Sequence, residues 1–369
     1  MDSFKGSLTS AQANEAVEVG VHDILPDAKI IKISVSDGGE GLLDVIKKTV
    51  HAIEVTAPAH DPLMRPMKGT YAISEDGKTA FVELASVSGL PLLTKTECNP
   101  WITTTFGTGE LILDALERGC RQFIIGIGGS ATNDAGIGLL QAIGFNFLDD
   151  KGFVLGQGGN ILEKITSINF SKVHAAVKDS RFVVACDVKN PFCGKMGAAY
   201  IFGPQKGADK IMVKRLDNGL LSFSKIIADI TGKDITWLPG AGAAGGTGGS
   251  LYAFLDAELK SGINLLLNLV HFDDLIKDAD LVITGEGSAD SQTLMGKVPS
   301  GILNRTMKVH VPTVLLAGKV KDEESLLKAG FKRILCINPP NLTEAQMMLP
   351  IMAEENIRRT VICLIQNLK

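Results

Sequence analysis

The chain has 369 residues, 45% of them hydrophobic and 21% charged, which is long for one core and ordinary for a soluble two-domain enzyme. A formal net charge of −4 argues against a broad basic surface, so neither nucleic acid nor an anionic membrane is an expected partner. The six cysteines show no CxxC pair, the six histidines show no HxxxH, and no apolar run resembles a signal peptide or a membrane span, so reduced thiols, no zinc and a cytoplasmic location are expected.

In chain order, a polar loop, "DSFKGS", comes first, and a helix follows in "SLTSAQANEAVEVGVHDILP". Ala13, Ala16, Val17, Gly20, Val21 and Ile24 share one face of that helix, and Thr9 with Gln12 form a capping box at its start. "KIIKISVS" reads as a short strand, "DGGEG" as a loop and "LLDVIKKTV" as a helix. "GTYAISEDGKTAFVEL" has the alternation of a hairpin, with Asp76-Gly77 at the turn. "RQFIIGIGG" is a buried strand, "SATND" a loop and "AGIGLLQAIG" a helix; "ADLVITG", "VPTVLLAG" and "KRILCIN" are three further strands separated by helical segments. Alternating strands and helices predict a mostly parallel sheet covered on both faces, and the hairpin adds antiparallel pairing after residue 60. The expected fold class is therefore α/β. A doubly wound domain would form from residues 1–60 and 266–369, with a second α/β domain of mixed sheet, 61–265, inserted between them.

Forty glycines are the outlier of the composition, and they cluster in short polar runs. Glycine loops at strand ends expose backbone N–H groups, and a following helix adds its positive end, so such loops bind anions without a basic side chain. "DSFKGS", "DGGEG", "GGSATND", "GAAGGTGG" and "TGEGSADSQTLMGK" fit this description, and several also carry Asp, Glu or Lys. Together they point to a highly charged ligand plus a cation. A P-loop is excluded: the single "GKT", at 77–79, has Ala72 where the first glycine of GxxxxGK[ST] belongs. Gly126, Gly128 and Ala131 satisfy the dinucleotide fingerprint GxGxx[G/A], with Asp149 and Asp150 about 20 residues further on, so an NAD-linked oxidoreductase stays open as an alternative. Against it, Thr132-Asn133-Asp134 crowd the position where a helix would simply pack, and "LDDKG" reads as an exposed turn.

Taken in order, "DSFKGSL", "DGGEG", "TTTFGTGEL", "IGGSATND", "CDVKNP", "FGPQKGA", "PGAGAAGG" and "TGEG…D…Q…GKVPSG" resemble the motif set of the type I glycerate kinase family over nearly the whole chain. The resemblance implies a Rossmann-like domain with a second α/β domain, ATP and Mg²⁺ as cofactors, and phosphorylation of D-glycerate, most often at the 2-hydroxyl. It also implies a glycerate 2-kinase acting on small molecules, and the sequence allows a homo-oligomer. Members of that family usually begin with a short apolar strand leading into "PDSFKGS". Here Met1 stands at the proline, so the expectation is either a start further upstream or a weakened, non-catalytic ligand-binding homologue. The pair Ser288-Ala289 replaces the basic and apolar residues usual after "TGEG", and Ala135 replaces a glycine of "NDGG".

Each expected role stands beside a plainer one. Asp187 is the hydroxyl-orienting base or a metal ligand, or else a strand-end Asx turn before Pro191. Lys5 acts on the transferred phosphate or on glycerate's carboxylate, or is a solvated side chain. Asp2, Ser3, Ser7, Asn190, Gln205 and Lys206 are the substrate-binding candidates, with a plain proline turn as the alternative for the last two. Gly128, Gly129, Ser130, Thr132, Asn133 and Asp134 cradle phosphates or merely cap a helix. Asp37 and Glu40 hold Mg²⁺, or serve as turn and cap residues. Glu286 and Asp290 hold Mg²⁺ and Gln292 and Lys297 contact nucleotide, or all four belong to a solvated surface loop.

Overall fold

Residues 1–4, 6–35, 42–49 and 52–367 are described by the structure, a computed structural model. The chain divides into two compact units, Gly38–Gly262 and a discontinuous one made of Met1–Asp37 with Ile263–Lys369.

The inserted unit is built on a six-stranded mixed sheet. Its strands are β1 (Ile53–His60), β2 (Pro66–Ile73), β3 (Thr79–Glu83), β4 (Gln122–Gly126), β7 (Arg181–Ala185) and β8 (Glu258–Lys260), in that spatial order. β5 (Asn146–Leu148) and β6 (Ser167–Asn169) form a separate antiparallel pair. The β1–β2–β3 meander is antiparallel and the rest is parallel. The β2–β3 turn falls at Asp76-Gly77: Gly77 has φ +71°, and the Asp76 carboxylate accepts from Lys78 N–H at 3.0 Å. β4 and β7 lie side by side in register, with Phe123 opposite Phe182 and their rings stacked at 4.9 Å. Around them the helices Phe106–Glu117, Lys210–Thr231 and Thr247–Leu255 contribute Leu111, Ile112, Leu216, Phe223 and Leu251 to one core.

The Rossmann-like unit carries a parallel sheet ordered β11 (Arg333–Cys336), β10 (Thr313–Val320), β9 (Val282–Ala289). Because successive residues of a strand face opposite sides, the apolar run of β10 serves two cores. Val314 and Leu316 pack with Ala13 and Val17 of the helix Ser10–His22 and with Ile357 and Val361 of the helix Pro350–Gln366. Leu315 and Ala317 pack with Leu303, Leu326 and Phe331. The first helix starts as its sequence predicts, with Thr9 and Gln12 bonded reciprocally. It lies so close to the helix Pro350–Gln366 that a Cβ on Gly20 would sit 2.9 Å from Arg358 O, and Arg358 pairs with Asp23 at 2.7 Å.

One expected element is corrected. Residues 29–35 of "KIIKISVS" form no strand. Their polar backbone groups turn to the first helix instead: Val35 N–H donates to Ser10 Oγ at 3.1 Å, and Ile33 O accepts from Asn14 Nδ2 at 3.1 Å. Among the described residues no helix is long and apolar enough to cross a membrane.

Candidate functional site

In the inserted unit the candidates gather at the carboxyl ends of the parallel strands, where open α/β sheets place their ligand loops. After β4 the chain does not turn directly into a helix. Residues 127–136 form a long loop, and the helix Ile137–Ala142 begins only afterwards. Gly129 has φ +70°, and the loop runs beside Ser88–Leu90, Leu90 N–H donating to Gly129 O and Ala131 N–H to Ser88 O. This geometry is not the tight strand–turn–helix that the dinucleotide fingerprint requires. Asp149, the proposed ribose acid, instead closes its own turn by accepting from Lys151 and Phe153 N–H. Nothing in the structure favours the oxidoreductase alternative.

Asp134 is fully buried, and five donors converge on its carboxylate: Thr105 N–H at 2.8 Å, Thr105 Oγ1 at 2.9 Å, Thr104 Oγ1 at 3.3 Å, Gly136 N–H at 3.2 Å and Gly138 N–H at 3.3 Å. Burial raises its pKa, and the bonds from Thr105, Gly136 and Gly138 oppose that rise. Thr105 Oγ1 also accepts from Leu139 N–H at 2.9 Å, so the starts of two helices are tied through this one carboxylate. Next to it Thr132 Oγ1 and both polar atoms of the Asn133 side chain are buried without a partner among the described residues. Below the loop Lys206 is 2% exposed, and its Nζ donates to Ser130 Oγ at 2.7 Å and to Thr132 O at 2.6 Å. Ala244, Gly245 and Gly246 press on the same loop in left-handed conformations, and a Cβ on Gly245 would lie 2.2 Å from Thr132 O.

Asp187 follows β7, half-buried, and its carboxylate accepts from Gly262 N–H at 3.1 Å and 3.2 Å. Asn190 Nδ2 donates to Met196 O at 2.9 Å, and Gln205 is exposed. Cys186, beside Asp187, has its thiol pushed up to about 11 by burial, which leaves it unsuited as a nucleophile at neutral pH.

In the Rossmann-like unit, Met1, Asp2 and Phe4 lie against the middle of β9, at Gly285. Asp2 N–H donates to Gly285 O at 2.9 Å, and the Asp2 carboxylate accepts from Ser3 N–H at 2.7 Å. Ser7 Oγ donates to Phe4 O at 3.0 Å, inside the turn. Glu286 is 6% exposed, accepts from Thr293 Oγ1 at 2.5 Å and lies 3.8 Å from Lys297 Nζ. Its pKa is raised, first by burial and then by the nearby Asp2 and Asp290 carboxylates, against Thr293 and Lys297. Asp290 caps the following turn by accepting from Gln292 N–H at 2.9 Å; Gln292 is exposed. Thus Asp2, Glu286, Asp290 and Lys297 come together. Lys5, Asp37 and Glu40 lie outside the described residues.

Over residues 1–369 the chain matches the glycerate kinase family. The chain belongs to the glycerate kinase family. It is similar to the glycerate 2-kinase of Escherichia coli K12, 45% identical over 322 residues that cover 87% of this chain and 84% of the relative. It is also similar to the glycerate kinase of Halalkalibacterium halodurans, 41% identical over 364 residues, 98% of this chain and 96% of the relative. A crystal structure from Salmonella typhimurium LT2 assigned as glycerate kinase 2 superposes with a TM-score of 0.86 at 39% identity, covering all of this chain and 96% of that one. The chain is accordingly a kinase of this family.

Two features of this glycerate kinase family member escaped the sequence reading. Thr104 and Thr105 hold Asp134, and the signal was present in the triple threonine opening the helix Phe106–Glu117. His60 Nδ1 lies 2.9 Å from Glu110 Oε1, a pairing that spans 50 residues and leaves no local trace. As for a metal, among the described residues no group of three or more His, Cys, Asp or Glu is placed to hold one. Magnesium needs fewer: one or two carboxylates suffice when phosphate oxygens and water complete its shell. Glu286, with Asp2 and Asp290 near enough to raise its pKa, offers hard oxygen donors of that kind.

Proposed function

We propose that the chain transfers the terminal phosphoryl group of ATP to the 2-hydroxyl of D-glycerate, giving 2-phospho-D-glycerate and ADP. The observation that carries the reading is the match along the whole chain to glycerate kinases, among them a glycerate 2-kinase at 45% identity. In the balanced reaction the glycerate oxygen bonds to the γ-phosphorus, the bond from phosphorus to the ADP oxygen breaks, and the hydroxyl proton passes to a carboxylate. Asp187 is that carboxylate: it stands at the carboxyl end of a parallel strand, and the Gly262 N–H fixes its orientation.

Gly128, Gly129, Ser130, Thr132, Asn133 and Asp134 form or brace the phosphate loop, and the buried polar atoms of Thr132 and Asn133 carry hydrogen-bonding capacity that no described protein group uses. Lys5, Asp2, Ser3, Ser7, Asn190 and Gln205 serve the substrate side, Gln292 and Lys297 the nucleotide; Lys206, expected to bind substrate, is enclosed and bonded to Ser130 and Thr132, and braces the phosphate loop instead. Bound Mg²⁺ would neutralise charge on the β- and γ-phosphates; Glu286 and Asp290 would hold it, with Asp37 and Glu40 as the remaining acidic candidates.

The test is ADP release by the purified chain with MgATP and D-glycerate, with the product offered to enolase. Turnover whose product enolase consumes is expected, and Asp187→Asn should lower kcat by about 10²–10⁴-fold. Absence of ADP release rejects the reaction, a product refused by enolase rejects the 2-hydroxyl, and full turnover by Asp187→Asn rejects the base.

A further inference from the structure

Lys206 is a cation in an unusual setting. Its ammonium is enclosed in the inserted unit, and both of its acceptors, Ser130 Oγ and Thr132 O, are uncharged parts of the loop after β4. No described carboxylate forms an ion pair with it. Asp134, on the same loop, acts on it through space, while Asp134's own oxygens are engaged by Thr104, Thr105, Gly136 and Gly138. Behind it, the segment around Cys98 presents backbone: a Cβ on Gly207 would lie 2.1 Å from Cys98 O. An ammonium kept from water without a bonded counter-charge is strongly disfavoured. Burial accordingly pulls Lys206 down to about 7, with Asp134 pulling the other way.

A fold retains such a group where a negative charge arrives to complete it. The acceptors of Lys206 belong to the loop with the orphaned Thr132 and Asn133 atoms. We propose that Lys206 is the internal counter-charge of this loop, a positioning residue that takes up a proton as a phosphate-bearing ligand occupies the loop from its other side. The inference rests on the reading of the loop as a phosphate site. Lys206 need not touch the ligand: a unit charge behind a loop, in a medium less polarisable than water, is felt across it. By reciprocity, protonated Lys206 strengthens anion binding by the same factor by which the bound anion favours protonation, so a rise of one pKa unit corresponds to about tenfold in affinity.

The experiment is calorimetric titration of the wild-type chain with ADP at pH 8 in two buffers of different ionisation enthalpy, with the nucleotide's own ionisation subtracted. The binding heat should differ between buffers in the sense of proton uptake, and affinity should fall as pH rises from 7 to 9. In Lys206→Met the heat should be the same in both buffers, and the affinity about fivefold weaker at pH 7 with no slope above it. ADP binding to wild type with no uptake at pH 8 overturns the inference and leaves the kinase reading standing. Uptake that persists undiminished in Lys206→Met also overturns it. Absence of ADP binding overturns the phosphate-loop reading and the inference with it. Should Lys206→Met fail to fold, the wild-type pH series decides: uptake that vanishes above pH 7 and grows toward pH 5 belongs to a carboxylate and rejects Lys206.

Discussion

Replacing Asp134 tests the claim that its carboxylate is first of all a structural tie. Asp134→Ala leaves the buried N–H groups of Thr105, Gly136 and Gly138 without an acceptor, and removes the partner of two threonine hydroxyls. Hydrogen bonds to a charged group contribute about 1.5–3 kcal/mol each, and an orphaned buried donor costs about 1–3 kcal/mol. Five such terms cannot simply add, because ionised Asp134 also pays for desolvation, which is why its pKa is raised and not lowered. Losing one member of a buried charged network destabilises by about 3–5 kcal/mol, and about 4 kcal/mol is expected here. Asp134→Asn should lose roughly half of that, since its oxygen can still accept from Thr105 while its NH₂ faces another donor. Both tryptophans, Trp101 and Trp237, belong to the inserted unit, so their fluorescence in a urea titration reports this unit alone. An Asp134→Ala chain less than about 1 kcal/mol weaker than wild type, at equal urea dependence, would refute the reasoning. If nucleotide affinity collapsed in that same chain, Asp134 would be a ligand contact and not a tie.

Gly245→Ala should destabilise the inserted unit by about 2 kcal/mol or more, because φ is +67° and the new methyl meets Thr132 O and Asn133 Cα; a urea midpoint equal to wild type would contradict the close packing. Lys206 gives a pH dependence of definite sign. Its folded pKa, about 7, lies below the ordinary lysine value of 10.5, so between them the unfolded chain binds more protons and stability rises with pH. Unfolding free energies at pH 7.5 and 9.5 should therefore climb more steeply in wild type than in Lys206→Met, by up to about 1.4 kcal/mol per pH unit, and equal slopes would show that the ammonium is not buried as described.

What the sequence carried legibly was local. The Thr9–Gln12 capping box, the Asp76-Gly77 turn and the apolar runs of β4, β9 and β10 each follow from spacing within a few residues. "KIIKISVS" misled because alternation gives a strand its faces and not its neighbour; Val35 and Ile33 found partners on a helix, and Ile31 is 49% exposed. Asp149 showed the weakness of a fingerprint read by distance along the chain: the separation was right, and its carboxylate had a local turn to close. At the site, "GGSATND" was recognisable as a polar loop after a strand. The sequence could not tell that Asp134 turns inward to Thr105, or that Lys206, next to exposed Gln205, is enclosed, since both depend on chain segments 29 and 74 residues away.

The helix Ser10–His22 rests on the helix Pro350–Gln366 at the distance only a glycine permits, and that pairing sets an order of assembly. During translation the helix Ser10–His22 is made before the inserted unit and must wait, its apolar stripe uncovered, until the segment carrying Pro350–Gln366 has left the ribosome. The inserted unit draws all its strands from one uninterrupted stretch and can mature during that wait. Truncations that trim the closing helix should therefore yield a half-soluble product: a sound central body carrying sticky, chaperone-seeking remnants.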